Sequence, residues 1–202
     1  MIRIEVKGVD HVQAKLSRIQ LGMQGRAMQL AINKVAGKAR AEINRAIPQE
    51  FAVKLRDLRN AIYLRRARSG SLEAVLSIFG SARRLGRSLN LIHFLQTVIH
   101  AGQQVKLRGT KGNRADMRAL NSQLGFRIKK SAGMKVIEGA FVGNKGRTIF
   151  RRTGSARLPI EPLQVIGFSQ MFRSRRVEQR VLSKIHTELP IEIDRAIKKV
   201  LS

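Results

Sequence analysis

Apolar residues recur at helical spacing between about Arg26 and Ala46. Met28, Ile32, Val35, Ala39 and Ile43 form one stripe, with Lys34, Lys38, Arg40 and Arg45 on the other faces. This period predicts a long amphipathic helix, and Pro48 is expected to stop it. Its small residues Ala31, Ala36, Gly37, Ala39 and Ala41 suit close packing against a sheet or a second helix. Shorter helices are predicted over Val9–Leu21, Val53–Asn60, Leu91–Ile99 and Arg175–His186, the last with Val177, Val181 and Ile185 in register. Pro190 suits the first turn of a final helix through Leu201.

The other rhythm is alternation. Ile2, Ile4 and Val6 share one face of an N-terminal strand. Ile62–Arg68 and Leu72–Phe79 read as two strands around Ser69-Gly70-Ser71, and Val105–Arg108 and Gly125–Lys130 as brief ones. Val136–Val142 and Thr148–Phe150 flank Gly143-Asn-Lys-Gly146, residues that tolerate the positive φ of a tight hairpin. A basic, glycine-containing loop is predicted from Gly80 to Ser88, and a mobile basic loop at about 109–122. The sum is an α+β fold: a mainly antiparallel sheet packed against one long N-terminal helix, with additional terminal helices. We read one domain over residues 1–202, its C-terminal helical segment starting near 174.

Composition sharpens this picture in one respect. Forty Lys and Arg face thirteen Asp and Glu, a net charge of +27. Such a surface attracts polyanions or the acidic faces of proteins. The apolar share of 43% is ordinary for a folded chain, whereas aromatics are only 4%, so the core must rest on aliphatic residues and phenylalanine. The absence of cysteine excludes disulfides and thiolate metal sites. No apolar run approaches the roughly 20 residues that span a bilayer, and no membrane partner is expected.

Catalytic chemistry finds little support. Glu188, Glu192 and Asp194 are the tightest acidic group, and Glu192 and Asp194 are expected to decorate the first turn of the last helix. His93 and His100 would share one helix face, a spacing less suited to metal than i, i+4. Gly109-Thr-Lys-Gly-Asn-Arg114 lacks the spacing of a nucleotide-binding P-loop. No enzyme activity, cofactor or metal is therefore expected. The basic groups remain, with no interleaved aromatics to stack on bases, so they favour sequence-independent phosphate contact or acidic protein partners. The candidate contacts are Arg83, Arg84 and Arg87; Lys111, Arg114 and Arg118; and Arg151, Arg152 and Arg157.

Four stretches in order carry a family likeness: Met28-Gln-Leu-Ala-Ile-Asn-Lys-Val-Ala36, Leu91-Ile-His-Phe94, Glu138-Gly-Ala-Phe-Val142, and Leu158-Pro-Ile160 followed by Ile166-Gly-Phe-Ser169 and Met171-Phe172. Together they resemble the minor tail protein Z family of tailed bacteriophages and prophages. Phe168 stands where that ending usually has proline. The resemblance implies a non-enzymatic virion protein of the tail and neck, made in the host cytoplasm. It would form a closed ring, hexameric in the family, at the head-proximal end of the tail and aid head–tail joining. Its implied partners are other copies of itself, tail-terminator or head–tail connector proteins, and the end of the double-stranded genome. The alternative from composition is a free nucleic-acid-binding protein without sequence preference.

Overall fold

The structure, a computed structural model, describes residues 21–68, 70–80, 88–100, 103–106 and 123–201. The strand expected at Met1–Val6, nearly all of the helix expected from Val9, all but the ends of the loop expected from Gly80 to Ser88, and the loop expected at about 109–122 lie outside the described residues. The α+β class holds. Helix α1 (Leu21–Glu50) is followed by a short α2 (Leu55–Ala61), eleven strands, a five-residue α3 (Phe168–Phe172) and a long α4 (Arg175–Leu201).

Helix α1 buries a different line from the one expected in its first half. Ala27 and Ala31 are buried, with Met28 and Ile32 only partly so, before the line continues through Val35, Ala39, Ile43 and Ile47. Alanines at the contact let α4 approach closely, and Ala27 and Ala31 pack with Ile193 and Ala196 in a small cluster of their own. The early part of α1 meets the late part of α4, so the two helices run antiparallel.

Neither proline ends or starts a helix. Pro48 lies inside α1, which continues to Glu50, and Phe51 still donates its N–H to the Ile47 carbonyl at 2.8 Å. Only one ladder bond is lost so close to the end, and complete burial of Ile47 and Phe51 holds the turn. Pro190 lies within an uninterrupted α4 rather than opening a separate helix. It is exposed, so water can satisfy the carbonyl that its ring leaves without a donor. Leu91–Ile99 also departs from expectation: a 3-10 turn, Leu91–Phe94, runs directly into strand β4, Leu95–His100. The β-branched run Thr97-Val98-Ile99 favours the extended form once it is paired on both sides.

Among the described residues the strands form four small antiparallel sheets instead of one meander. Strands β1 (Ile62–Arg65) and β2 (Val75–Ile78) make the expected hairpin. Strands β5 (Gln103–Lys106), β4, β6 (Gln123–Phe126) and β7 (Lys135–Val136) make the largest sheet. Strands β8 (Ala140–Gly143), β9 (Thr148–Arg152) and β10 (Ile160–Pro162) form a third, and β11 (Gln164–Ile166) pairs with β3 (Ser88–Asn90) in the fourth. The strand expected from Val136 to Val142 is broken at Gly139, whose φ of +69° turns the chain from one sheet into the next.

One core joins these pieces. It includes Val35, Ile43 and Phe51 from α1, Leu58 from α2, Phe94, Ile149, and all three apolar residues of α3, namely Phe168, Met171 and Phe172. Phe168 begins α3 just after Gly167, a first helical position at which proline is also tolerated. Here Phe168 is fully buried and its N–H bonds the Gly80 carbonyl at 3.0 Å, a bond proline lacks.

Candidate interaction surface

The hairpin β8–β9 turns through Asn144, Lys145 and Gly146, all at positive φ. Its two faces differ. Ala140, Val142 and Ile149 point to the core. Phe141 and Phe150, paired in register, lie on the opposite face with ring centroids 6.0 Å apart. The guanidinium of Arg152 lies 5.5 Å from the centroid of the Phe141 ring, a cation–π contact. Ile160 and Pro162 of β10 pair with Arg152 and Phe150 and extend this outer face. The Phe150 ring also covers Gly143 so closely that a Cβ there would meet it at 2.8 Å.

Beyond β9 the chain makes an exposed loop from Thr153 to Pro159, closed by the Thr153 N–H and hydroxyl donating to the Pro159 carbonyl at 3.4 and 3.2 Å. Arg157 and Leu158 sit on it, and Leu158 is 66% exposed, the most of any large apolar side chain among the described residues. Of the candidate residues, the structure thus brings Arg151, Arg152 and Arg157 to one end of one sheet. Arg83, Arg84, Arg87, Lys111, Arg114 and Arg118 lie outside the described residues.

Asn90 holds this sheet to the rest of the molecule. Its Oδ1 accepts from the Ile149 N–H at 2.8 Å and the Ile92 N–H at 3.1 Å, while its Nδ2 donates to the carbonyls of Leu163 at 3.0 Å and Ile149 at 3.2 Å. One side chain therefore stitches β3 to β9 and to the bend between β10 and β11. Nothing in the local sequence distinguishes this asparagine, because its partners are 59 and 73 residues away.

A second basic region gathers where α1 ends and α4 begins. The Lys130 N–H donates to the Glu50 carbonyl, and the Ser174 hydroxyl donates to the Glu50 carboxylate at 3.1 Å. Lys129, Lys130, Arg173, Arg175 and Arg176 are exposed around this junction. An open groove of about 230 Å³ lies there, lined by Gln49, Glu50, Ser131, Arg176 and Arg180 among others.

Several of the acids lie on seams between elements. Lys38 of α1 reaches Glu188 at 2.5 Å and also Glu192, both on α4; Lys184 and Arg195 complete the network at 2.8 and 2.7 Å. Hydrogen bonds from Lys184 and Lys38 hold the Glu188 carboxyl down to about 2, Lys38 likewise lowers Glu192, and the two carboxylates raise Lys38. Glu192 is buried, so it is a rivet between helices and not, as expected, a decoration of a helix start. Glu42 pairs with Arg180, and Asp57 with His93 at 3.1 Å, which lowers the Asp57 carboxyl. His93 and His100 thus belong to different elements and share no helix face. By contrast, Lys145, Arg147, Arg151 and Arg157 form no ion pair among the described residues, although Glu161 stands opposite Arg151 in register. No group of His, Asp and Glu among them could hold a metal.

Several residues that carry the family likeness, though not the exposed Leu30 and Leu158, are core residues: Leu91, Phe94, Ala140, Phe168, Met171 and Phe172 are all buried. They therefore mark a shared fold. Prophage minor tail protein Z matches the chain over residues 6–202. The chain belongs to that family. No curated protein and no solved structure matches it. In a minor tail protein Z, the surface just described belongs to a structural component of a phage tail. No helix among the described residues is long and apolar enough to cross a membrane.

Proposed function

We propose that this minor tail protein completes the tail: copies close into a ring at its head-proximal end, contact tail-terminator or connector rings, and hold the end of the genome. Family membership supports the tail, and the separation of charge supports the rest. Buried or half-buried acids rivet α1 to α4, whereas Lys145, Arg147 and Arg157 at the β8–β9 end form no ion pair among the described residues. A ring around a channel needs head-to-tail contacts that close, and cations without internal partners remain available for phosphate contacts that carry no sequence preference. In this reading Arg83, Arg84, Arg87, Lys111, Arg114 and Arg118 face the DNA.

Cryo-electron microscopy of purified particles, with the chain traced in the neck, tests the proposal. A closed ring at the upper end of the tail is the expected result. Absence of the chain from infectious particles would overturn it and favour a free nucleic-acid binder. Charge reversal at Arg83, Arg84 and Arg87 is expected to reduce infectivity while leaving the fold intact; normal titre would remove that loop from the channel.

A further inference from the structure

Two kinds of surface carry the charge of this molecule, and they differ in chemistry. Around the α1–α4 junction the exposed residues are mainly lysine and arginine with small or polar ones such as Gln49 and Ser131, and none of the exposed large apolar side chains among the described residues belongs to 127–133 or 173–178. The outer face of the β8–β9–β10 sheet is different. Phe141 and Phe150 stack there outside the core, Arg152 lies over one ring, and Ile160 and Pro162 continue the face. The adjoining loop carries Leu158 at 66% exposure, the largest single apolar exposure described. Charged residues at the rim are Arg147 and Arg157, with Lys145 at the turn, while Arg151 and the Glu161 in register with it leave from the side of Ala140 and Ile149.

An aromatic and aliphatic centre with an arginine rim is the composition of a protein-binding surface. It does not fit a duplex, whose phosphates offer nothing to Leu158 or to a phenylalanine pair already stacked on itself and capped by a guanidinium. Nor does it favour a second copy, which brings the same excess of forty cations over thirteen acids to a rim that is already cationic. We infer that the outer face of the β8–β9–β10 sheet, with Leu158 as its apolar knob, docks a different protein, one that presents an apolar depression rimmed by Asp and Glu. This rests on the chain acting as a tail component, and it assigns Arg152 and Arg157 to a protein partner, leaving DNA to other basic groups.

The test uses the full chain in assembled particles. Leu158 is replaced by the photoreactive p-benzoylphenylalanine, particles are purified and irradiated, and the adduct is mapped by mass spectrometry. The expected result is a covalent link from position 158 to an acid-rich segment of another virion protein. A link to a second copy or to DNA, or no adduct although the chain is present in the particle, overturns the docking inference alone. Absence of the chain from the particle instead overturns the tail-completion proposal, and the inference with it. Independently, Leu158→Ser alters an exposed side chain and should leave thermal unfolding of the purified chain unchanged, while Arg152→Glu, which loses only the exposed contact with the Phe141 ring, should lower its midpoint by no more than a few degrees. Each is expected to lower the yield of infectious particles by about tenfold or more, the scale of losing an interface anchor. Full yield from both variants overturns the inference.

Discussion

Replacing Asn90 tests the connection between the outer sheet and the core. Ile149 turns both its N–H and its carbonyl toward Asn90 and Leu163. In Asn90→Ala the two carbonyls keep one donor each, because the Leu163 N–H still reaches Ile149 at 2.9 Å and the Leu91 N–H reaches Leu163 at 2.9 Å. The Ile149 N–H has no such reserve, and Ile149 is 0% exposed. Orphaning a buried N–H costs about 1–3 kcal/mol. The Ile92 N–H also loses its cap on the 3-10 turn, typically worth about 1 kcal/mol. The sum is about 2–4 kcal/mol, or a fall in melting temperature of roughly 5–15 °C for a chain of this size. Asn90→Asp keeps the acceptor but points a second oxygen at the carbonyls of Ile149 and Leu163. At neutral pH it should therefore be at least as destabilised as the alanine variant. Its carboxyl should titrate above the ordinary aspartate range, because only the protonated form can donate there. The sign follows: the penalty is full above that raised value and is relieved as pH falls below it. Chemical denaturation of the three proteins at pH 7 and at pH 4 gives the comparison. An alanine variant within about 0.5 kcal/mol of the parent, the usual range of inert surface changes, would refute the reasoning. So would an aspartate variant equal to the parent at neutral pH.

Acid should loosen the seam between α1 and α4. Glu188 lies at about 2 in the folded chain against an ordinary 4.5, with Glu192 and Asp57 also lowered. Their contribution is therefore present above about pH 4.5 and is lost as pH falls toward 2. Unfolding midpoints of the parent and Glu188→Gln should converge over that window, and a constant gap would count against it. Gly143→Ala would drive a methyl into the Phe150 ring at 2.8 Å. It should open the Phe141–Phe150 stack at a cost of about 1–3 kcal/mol, visible in aromatic NMR shifts and in stability. Gly139→Ala, at φ +69°, should cost about 1–2 kcal/mol by denaturant unfolding. Gly37→Ala lies in a helix with nothing within 4 Å of the new methyl and should instead stabilise by about 0.5–1 kcal/mol.

The sequence disclosed what depends on neighbours along the chain. The Val35–Ala39–Ile43 part of the α1 stripe, the β1–β2 hairpin and the turn at Gly143–Gly146 follow from local period and turn chemistry. The division into four sheets depends on where single residues break a strand, as Gly139 does, and that choice is made by the packing of distant elements. Both prolines misled because tertiary burial at Phe51 and solvent access at Pro190 compensated for a lost bond. At the surface, the arginines of the β9 end were visible as charge. Their placement beside a phenylalanine pair was not, because an alternating strand does not show which of its two faces the core takes. The Lys38 rivet was equally hidden, since a lysine on a polar helix face gives no sign of carboxylates 150 residues away.

That separation also has a consequence during synthesis. Helix α1 is translated well before α4, the helix that packs along its Ala27–Ile47 line. At about 5–20 residues per second, the 150 residues between Lys38 and Glu188 take roughly 8–30 s to emerge. Throughout that interval the nascent chain presents an uncovered apolar ridge, a natural ligand for ribosome-associated chaperones. A chain stopped at Phe172 should consequently bind hydrophobic dyes and aggregate, and a separate peptide of residues 175–201 should suppress both.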